Sequence, residues 1–356
     1  MSQSTRYFSA MAIRAARMVL GDRISLPHLM AFMRYNSPVK LANLMHVIWE
    51  MKRGRCVLKS KPIIMFLEVN NICNLRCLFC LTGKGRSTDR AKRNMSLSEM
   101  KKTVEEVADY LYFIQLYNWG EPLLNKDLFD FINYVHRRRI FTMVSSNMNF
   151  IRPTIAEQVV TSGLDYFIAA IDGFSAGSYE KYRIGGSFEK AINNLQNVLD
   201  VRKKMGRSRP FVEWQYVVFR HNQDEITEAR RFADRIGVDY FHAIPGYIED
   251  PEWITTLPEY RVDLGRPESV SRCARPWTHL NIRADGGVAA CCYEFYKKDD
   301  FANIFQTPFN QFWNNEVFVT AREVLSKGLD KAPKRPSTIC HECVAKGIRP
   351  SFEKLE

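Results

Sequence analysis

The sequence predicts an α/β fold: a partial (β/α)6 barrel, preceded by a basic helical extension and followed by a small C-terminal module. Three observations lead to this prediction. From residue 61 onward, short β-rich runs alternate with longer amphipathic stretches. The alternation stops at a proline-rich stretch after residue 248, and most of the excess positive charge lies in the first 60 residues. Strands that alternate with helices are typical of parallel sheets.

Six apolar runs predict the strands of this TIM-like barrel. They are residues 63–69, 112–116, 141–145, 166–171, 211–218 and 240–244. Ser96 and Glu99 have the spacing of a capping box, which marks the start of the first helix. Gly163 and Gly237 stand where helices should end before the next strand. In such barrels the functional residues gather just after each strand.

The domain boundaries follow from this pattern. We predict a basic helical extension at 1–60, the barrel at 61–248, a linker at 249–268 and a second module at 269–356. The linker contains Pro251, Pro258 and Pro267 and has little apolar periodicity. In the second module, 280–282 and 288–292 predict a β-hairpin, and 309–324 predicts a helix.

Composition excludes several classes of protein. The chain has 356 residues, of which 46% are hydrophobic, 25% charged and 12% aromatic, as in a globular protein rather than a disordered or collagenous one. No apolar run approaches the roughly 20 residues of a membrane span. The N-terminus lacks the pattern of an export signal, so we expect a cytoplasmic protein. Nine cysteines in a reducing compartment indicate metal ligation or thiol chemistry.

The net charge of +12 is distributed unevenly. Residues 1–60 contain ten Lys and Arg but only Asp22 and Glu50 as acids, with apolar residues interleaved. We favour a helical extension that packs against the barrel and keeps these cations solvated. Peripheral contact with an anionic membrane surface is the alternative, and nucleic acid, a third possible partner for this patch, is not expected.

Three cysteines, Cys73, Cys77 and Cys80, follow the first predicted strand directly. Three thiolates can hold three corners of a 4Fe-4S cluster and leave the fourth iron open to a chelating ligand. A structural zinc site is the alternative, although such sites usually close with four ligands.

Residues 68–80, with the sequence EVNNICNLRCLFC, strongly resemble the radical S-adenosylmethionine superfamily. The resemblance recurs at later strand ends. Trp119-Gly120-Glu121-Pro122 is similar to the family's Gly-Gly-Glu-Pro segment, with Trp119 in place of the first glycine. Two later positions also differ from the family, since Met148 stands where glycine is usual and Ala170 where serine is common. The resemblance implies that S-adenosylmethionine is bound by Phe79, Gly120, Glu121, Ser146, Asn147, Asp172 and Arg183.

A second group of cysteines lies in the C-terminal module. Cys340 and Cys343 could by themselves form half of a zinc site, but Cys273 and Cys291 complete four soft ligands. This pattern resembles the SPASM/twitch auxiliary-cluster domains of many radical S-adenosylmethionine enzymes. The resemblance implies that Cys273, Cys291, Cys340 and Cys343 bind a second 4Fe-4S cluster.

The remaining two cysteines are expected to have other roles. Cys292 follows Cys291 directly, so on a strand it would face the opposite side, and we expect only one of the two to be a ligand. The spacing from Gly286 favours Cys291. Cys56 has no partner nearby in sequence and is expected to be a small buried apolar residue.

The resemblance implies a radical enzyme that cleaves S-adenosylmethionine to a 5'-deoxyadenosyl radical, with an electron donor such as flavodoxin or ferredoxin. We expect dehydrogenation or epimerisation of a small polyhydroxylated substrate, a sugar or aminocyclitol, as in enzymes similar to 2-deoxy-scyllo-inosamine dehydrogenase. Cys292 is a conceivable hydrogen donor for epimerisation. A peptide-modifying enzyme is the first alternative, and a zinc-binding RNA- or membrane-associated protein is the second.

Five residues near the strand ends are candidates for substrate contact, each with a structural explanation as the alternative. Arg220 and His221 lead into a predicted helix, and His242 fits a hydrogen-bonded core histidine. The full set is Asn118, Arg220, His221, His242 and Tyr247. None is assigned a catalytic role.

Overall fold

A nine-stranded sheet is the centre of the computed structural model, which describes residues 32–85, 89–150, 154–261 and 272–350. Its spatial order is β10-β9-β8-β1-β2-β3-β4-β5-β6, and a separate parallel pair joins β7 and β11. The strands are β1 Ile64–Leu67, β2 Phe113–Gln115, β3 Phe141–Ser146, β4 Tyr166–Ala170, β5 Phe211–Val218, β6 Tyr240–Pro245, β7 Arg272–Cys273, β8 His279–Ile282, β9 Gly287–Ala289, β10 Ala302–Asn303 and β11 Arg349–Pro350.

The predicted α/β fold with a partial barrel is confirmed, because β1 to β6 are parallel and each pairs with the next. Helices connect consecutive strands from β1 to β6. The helices are α1 Pro38–Lys52, α2 Leu97–Glu105, α3 Leu128–Arg137, α4 Ile155–Thr161, α5 Ala176–Tyr182, α6 Phe188–Lys204, α7 Ile226–Ile236, α8 Arg275–Thr278, α9 Phe309–Phe312, α10 Glu316–Lys327 and α11 Ile339–Ala345.

Local sequence signals explain where two of these helices begin and end. The Ser96 side chain accepts the Glu99 N–H, and the Glu99 carboxylate accepts the Ser96 N–H, so α2 begins with the expected capping box. At the end of α7, Gly237 adopts a left-handed φ of +83°, which glycine tolerates best.

The C-terminal part of the chain extends the barrel sheet. Strand β8 pairs in parallel with β1 on the side opposite β2, and His279 lies across from Ile64. Strands β9 and β10 then continue the sheet in antiparallel pairs. The predicted hairpin is therefore built into the edge of the barrel.

Two sequence predictions in this region are corrected. Strand β9 ends at Ala289, so Cys291 and Cys292 lie beyond it and the argument from alternating strand faces does not apply to them. The predicted helix at 309–324 is two helices, because the Asn315 side chain accepts the N–H of Phe318 and starts α10 anew.

Part of the predicted N-terminal extension is helical. Helix α1 buries Val47 and Met51, and the Glu50 carboxylate is buried against Ser60. Residues 1–31, which carry the rest of this prediction, lie outside the described residues. The predicted linker contains two short 3-10 turns up to Tyr260, and its remainder from residue 262 also lies outside them. Within the described ranges, every helix is too short or too polar to cross a bilayer.

Candidate cofactor and substrate sites

The loop after β1 carries Cys73, Cys77 and Cys80. Its backbone is anchored to the end of α5, since the N–H of Leu78 donates to the Tyr182 carbonyl over 3.2 Å. Gly83 lets the loop fold back tightly, because a Cβ there would lie 2.6 Å from the backbone of Cys77. Three thiols thus follow the strand end within one folded loop.

Burial disfavours the charged form of two of these thiols, Cys73 and Cys77. It raises the pKa of Cys73 to about 11, and it also raises the pKa of Cys77. A cationic cluster would reverse this preference, since iron binds thiolates. The donor set therefore fits a cationic iron–sulfur group.

Arg183 links this loop to the end of β4. Its Nε and Nη2 atoms each lie 2.6 Å from Oδ2 of Asp172, which is fully buried. Its Nη1 lies 3.7 Å from the sulfur of Cys77. Oδ1 of Asp172 accepts the N–H of Val217 in β5 over 2.8 Å. The pair therefore holds a guanidinium beside the cysteine loop.

Glu121 is a buried carboxylate at the end of β2. Its oxygens accept the N–H groups of Leu123 and Asn147, over 3.1 and 2.8 Å. Burial raises the pKa of Glu121 to about 7. No basic side chain of the described residues hydrogen-bonds to it, so the site fits the ammonium group of a ligand.

Gly120 lies close to Asn70, which follows strand β1. A Cβ at this position would lie 2.3 Å from Oδ1 and 2.4 Å from the carbonyl oxygen of Asn70. Asn70 is buried, and its amide donates to the Glu121 carbonyl. Only glycine allows these two segments to lie so close.

The end of β3 brings Ser146 and Asn147 to the same region. The Asn147 amide donates to Oδ1 of Asn74 over 2.9 Å and lies 3.7 Å from the sulfur of Cys73. Met148, which occupies the family's glycine position, adopts a φ of +60°. The left-handed backbone that glycine would favour is thus retained with a buried methionine.

Phe79 lies in an aromatic cluster beside the cysteine loop. Its ring is 6.0 Å from that of Phe219 and 5.2 Å from that of Trp253. The predicted cofactor residues thus surround the ends of β1 to β4. Their roles in binding stay predictions.

A pocket in the C-terminal part brings together Cys273, Cys291, Cys340 and Cys343. The other side chains that line it are mostly apolar, with the exceptions of Arg275 and Tyr293. Burial raises the pKa of Cys273 and Cys340. Four thiols around one largely apolar pocket fit a fully ligated iron–sulfur cluster.

Cys292 does not line this pocket. A hydrogen bond from Cys292, together with the guanidinium of Arg275, lowers the pKa of Cys291. The hydrogen bond with Cys291 and the burial of the thiol raise the pKa of Cys292. The thiolate form is thus favoured at Cys291 rather than at Cys292, and Cys291 stays our predicted ligand.

The two cysteine regions are connected through Trp119 and Asn118. The Trp119 ring lies 5.0 Å from that of Phe295, and the Asn118 amide donates to the Cys292 carbonyl over 3.2 Å. Beneath them the buried Glu68 accepts the N–H groups of both Trp119 and Ala284. The tryptophan that replaces the family's glycine therefore packs on the C-terminal segment.

The inner face of the barrel carries a polar cluster on β4, β5 and β6. Trp214 and Phe241 face outward, since Trp214 packs against Phe232 of α7. Side chains alternate along a strand, so Glu213 and His242 face inward. Nδ1 of His242 lies 2.9 Å from Oε1 of Glu213, whose Oε2 accepts the hydroxyl of Tyr166.

This cluster, Tyr166–Glu213–His242, lies below the predicted cofactor site. Val217 donates its N–H to Asp172, and it pairs with Ile244 of β6, so Ile244 lies at the level of Asp172. His242 is two residues before Ile244 on the same strand. At about 3.3 Å per residue, the imidazole lies roughly 7 Å deeper in the barrel than Asp172. Its side chain is 27% exposed.

The other predicted substrate contacts are less favourably placed. Nε2 of His221 lies 3.0 Å from the Ser178 carbonyl oxygen, and its ring lies 4.5 Å from the Trp253 ring. Arg220 is exposed, and Tyr247 is 37% exposed. Cys56 was expected to be buried and is instead half-exposed, 3.7 Å from the Ser326 hydroxyl.

Sequence reasoning missed Glu213, Tyr166 and Glu68. A signal for Glu213 was present, because a carboxylate in the middle of an apolar strand must face either solvent or a polar interior. Glu68 was read only as the first residue of the motif at 68–80, so its separate structural contact was missed. Among the described residues, no three His, Cys, Asp or Glu are arranged to hold a single metal ion.

Comparison with known families gives two matches. Residues 67–252 match the radical SAM superfamily, and residues 273–344 match SPASM, an iron–sulfur cluster-binding domain. The first match alone spans more than half of the chain.

Comparison with individual proteins gives more distant relatives. The mycofactocin maturase MftC of Mycolicibacterium smegmatis is 26% identical over 176 residues, 49% of this chain and 43% of that protein. The AdoMet-dependent heme synthase of Methanosarcina barkeri is 26% identical over 185 residues, 51% of this chain and 50% of that protein. The chain thus matches half or less of the length of these curated relatives.

Among solved structures, Streptococcus suis SuiB bound to S-adenosylmethionine has a TM-score of 0.60 at 12% identity. The alignment covers 90% of this chain and 79% of SuiB. SuiB bound to the precursor peptide SuiA gives 0.59 at 13% identity, with 89% and 78% covered. At this identity the likeness concerns the fold alone.

Proposed function

The chain belongs to the radical SAM superfamily, and from this we propose that it oxidises a small polyhydroxylated substrate, a sugar or an aminocyclitol. Its cofactors are S-adenosylmethionine and two iron–sulfur clusters, as the two family matches imply. When bound, these groups supply a 5'-deoxyadenosyl radical that removes a hydrogen atom and an acceptor for one electron. The protein's own residues must bind, orient and shield the reactants and remove a proton.

We propose that Cys73, Cys77 and Cys80 hold the open cluster. Glu121 would then accept the ammonium group of S-adenosylmethionine, and Arg183 would meet its carboxylate. Asp172 holds Arg183 in place, since it is buried and bonded to two of the guanidinium nitrogens. The charges on Glu121 and Arg183 thus complement those of an amino acid group.

The observation that carries the substrate proposal is the Tyr166–Glu213–His242 cluster. Oxidation of an alcohol removes a hydrogen atom from carbon, an electron and the hydroxyl proton. Glu213 holds Nδ1 of His242, which leaves Nε2 to take that proton from a hydroxyl in the barrel. Tyr166 fixes Glu213 from the other side. The cluster therefore favours oxidation over epimerisation, which needs a second hydrogen donor.

The test uses anaerobically reconstituted enzyme and a panel of ring-deuterated aminocyclitols and sugars. We expect deuterium to enter 5'-deoxyadenosine and the product to be three mass units lighter than the deuterated substrate, because one deuterium leaves carbon and one proton leaves the hydroxyl. His242→Gln should retain deuterium transfer but lower product formation by about 100-fold, the scale of general base catalysis. Tyr240→Phe is the matched control, because it keeps the ring that lies 5.1 Å from the His242 ring and removes only the hydroxyl group. Loss of deuterium transfer together with product in His242→Gln would contradict the assigned role.

Modification of a peptide is the second candidate function. The maturase named above and the SuiB complex with a precursor peptide support it. Incubation with peptides encoded near the gene separates the two candidates. A mass change in a peptide, with no deuterium transfer from any cyclitol or sugar, would overturn the small-molecule proposal.

A further inference from the structure

Helix α1 exposes a row of large apolar side chains. Leu41, Met45 and Trp49 are 47%, 60% and 47% exposed. They are four residues apart, so they lie on one face of the helix. The opposite face buries Val47 and Met51 in the core. The buried face also holds three polar residues, Lys40, Asn43 and Glu50, so it is mixed, whereas the exposed row is apolar.

Such a helix is unusual on a protein surface. A surface helix normally presents charged side chains outward and buries its apolar stripe, whereas α1 presents an apolar row outward. Two further apolar side chains near the helix, Met33 and Val57, are 78% and 65% exposed. The apolar surface thus extends past both ends of α1.

Positive charge surrounds this surface. Between residues 32 and 61 there are seven Lys and Arg, of which Lys40 is buried, and the only acid, Glu50, is buried as well. Lys52, Arg53 and Arg55 follow the row at the C-terminal end of α1, and the Arg55 guanidinium lies 5.7 Å from the Trp49 ring centre. Nearby on α10, the acidic Glu323 is paired with Lys327.

The positive charge near the exposed face of α1 determines which partners could cover it. Residues 1–31 contain four arginines and one aspartate, so they would bring positive charge to a positive surface. A second copy of the chain that docks through the same face would do the same. Nucleic acid would match the charge, but it offers little to Leu41 and Met45, because it is bound mainly through phosphates and stacking.

We propose that the exposed face of α1 docks the protein on an anionic lipid bilayer. The helix is about 22 Å long and lies along the membrane plane. Its row of apolar side chains enters the boundary between headgroups and acyl chains, where tryptophan is favoured. Lys52, Arg53 and Arg55 contact the anionic headgroups. This inference does not depend on the proposed substrate.

The test measures partition of the full-length holoenzyme into phosphatidylcholine vesicles with and without phosphatidylglycerol, by sedimentation. We expect binding only where phosphatidylglycerol is present. The emission of Trp49, taken as the difference from Trp49→Phe, should shift to shorter wavelength on binding. Equal binding to both vesicle types, or to neither, would overturn the proposal.

Two variants separate the charged and apolar contributions. Lys52→Gln with Arg53→Gln should lower partition about 30-fold, since each basic residue contributes about fivefold. Met45→Ser should lower it about fivefold through lost apolar contact. Met205→Ser is the matched control, because Met205 is 40% exposed and also follows basic residues, Lys203 and Lys204. Equal effects of Met45→Ser and Met205→Ser would contradict the assignment.

Other partners give distinct results. If Trp49 is shielded from acrylamide before vesicles are added, residues 1–31 or a second copy already cover the face, and the proposal is wrong. If an RNA oligonucleotide binds as tightly as the vesicles and Met45→Ser has no effect on either, nucleic acid is the partner instead.

Discussion

Replacing Gly120 with alanine tests the close approach between the ends of β1 and β2. The added Cβ would lie 2.4 Å from the Asn70 carbonyl oxygen and 2.9 Å from its carbonyl carbon. A side-chain rotation cannot relieve a clash with backbone, so the segment that leads to Cys73 must shift. Overpacking of this kind costs about 2 kcal/mol, and loss of the Asn70 amide bond to the Glu121 carbonyl adds about 1 kcal/mol.

We therefore expect Gly120→Ala to lose about 3 kcal/mol of unfolding free energy. With an unfolding entropy of roughly 2 cal/mol/K per residue, the melting temperature of a chain this long falls by about 4 °C. The affinity for S-adenosylmethionine should fall about tenfold, because Glu121 and Asn147 shift with the segment. Calorimetry of the reconstituted enzyme measures both quantities.

Gly177→Ala is the matched control. It lies in α5, and the nearest atom to an added Cβ is 4.0 Å away, the hydroxyl oxygen of Ser175. Alanine in a helix is favoured by up to about 1 kcal/mol over glycine, so this variant should be as stable as the wild type or more so. If Gly120→Ala behaves like Gly177→Ala, the close approach at Gly120 is not needed.

Three further predictions concern the charged and thiol groups. Arg183→Met leaves the negative charge of the buried Asp172 without its partner, so the unfolding free energy measured in urea should fall by about 3 kcal/mol. Adding Asp172→Asn should restore part of this loss, and a loss below about 1 kcal/mol in Arg183→Met would contradict the reasoning. Cys291→Ser should lower the iron content by about half, whereas Cys292→Ser should leave it unchanged, and the opposite result would exchange their roles. Because the pKa of Glu121 is about 7, the charged fraction of its carboxylate falls as pH drops from 8 to 6. The affinity for S-adenosylmethionine should therefore decline about tenfold over this range. Glu121→Gln should abolish that pH dependence.

The order of elements could be predicted from sequence because strand and helix periodicities in the barrel are strong. All six predicted strands are present, and Ser96 and Gly237 mark helix ends as expected. The predicted cofactor residues were found through local motifs at strand ends, and the structure brings them into one region. The pairing of β8 with β1 could not be foreseen, because it joins segments more than 200 residues apart.

The inner polar cluster illustrates a second limit of sequence. His242 and Glu213 are 29 residues apart, and their contact depends on the register between β5 and β6. Tyr166 joins them from a third strand. Periodicity gives the face on which each residue lies, but the pairing that creates the contact is a property of the assembled sheet. The contact between the rings of Trp119 and Phe295 likewise depends on the folded arrangement of segments that are distant in sequence.

The junction between β1 and β8 restricts how this protein can be divided. A truncated chain that stops after the barrel would leave the β1 edge with open N–H and C=O groups, and such edges recruit strands from other molecules. Leu280 and Trp277, both fully buried, would also lose their place in the core. Chimaeras that exchange the C-terminal segment between relatives should therefore keep β8 with the barrel and cross over after Ile282. Cys273 then stays with the barrel, and the relative must supply the counterparts of Cys291, Cys340 and Cys343.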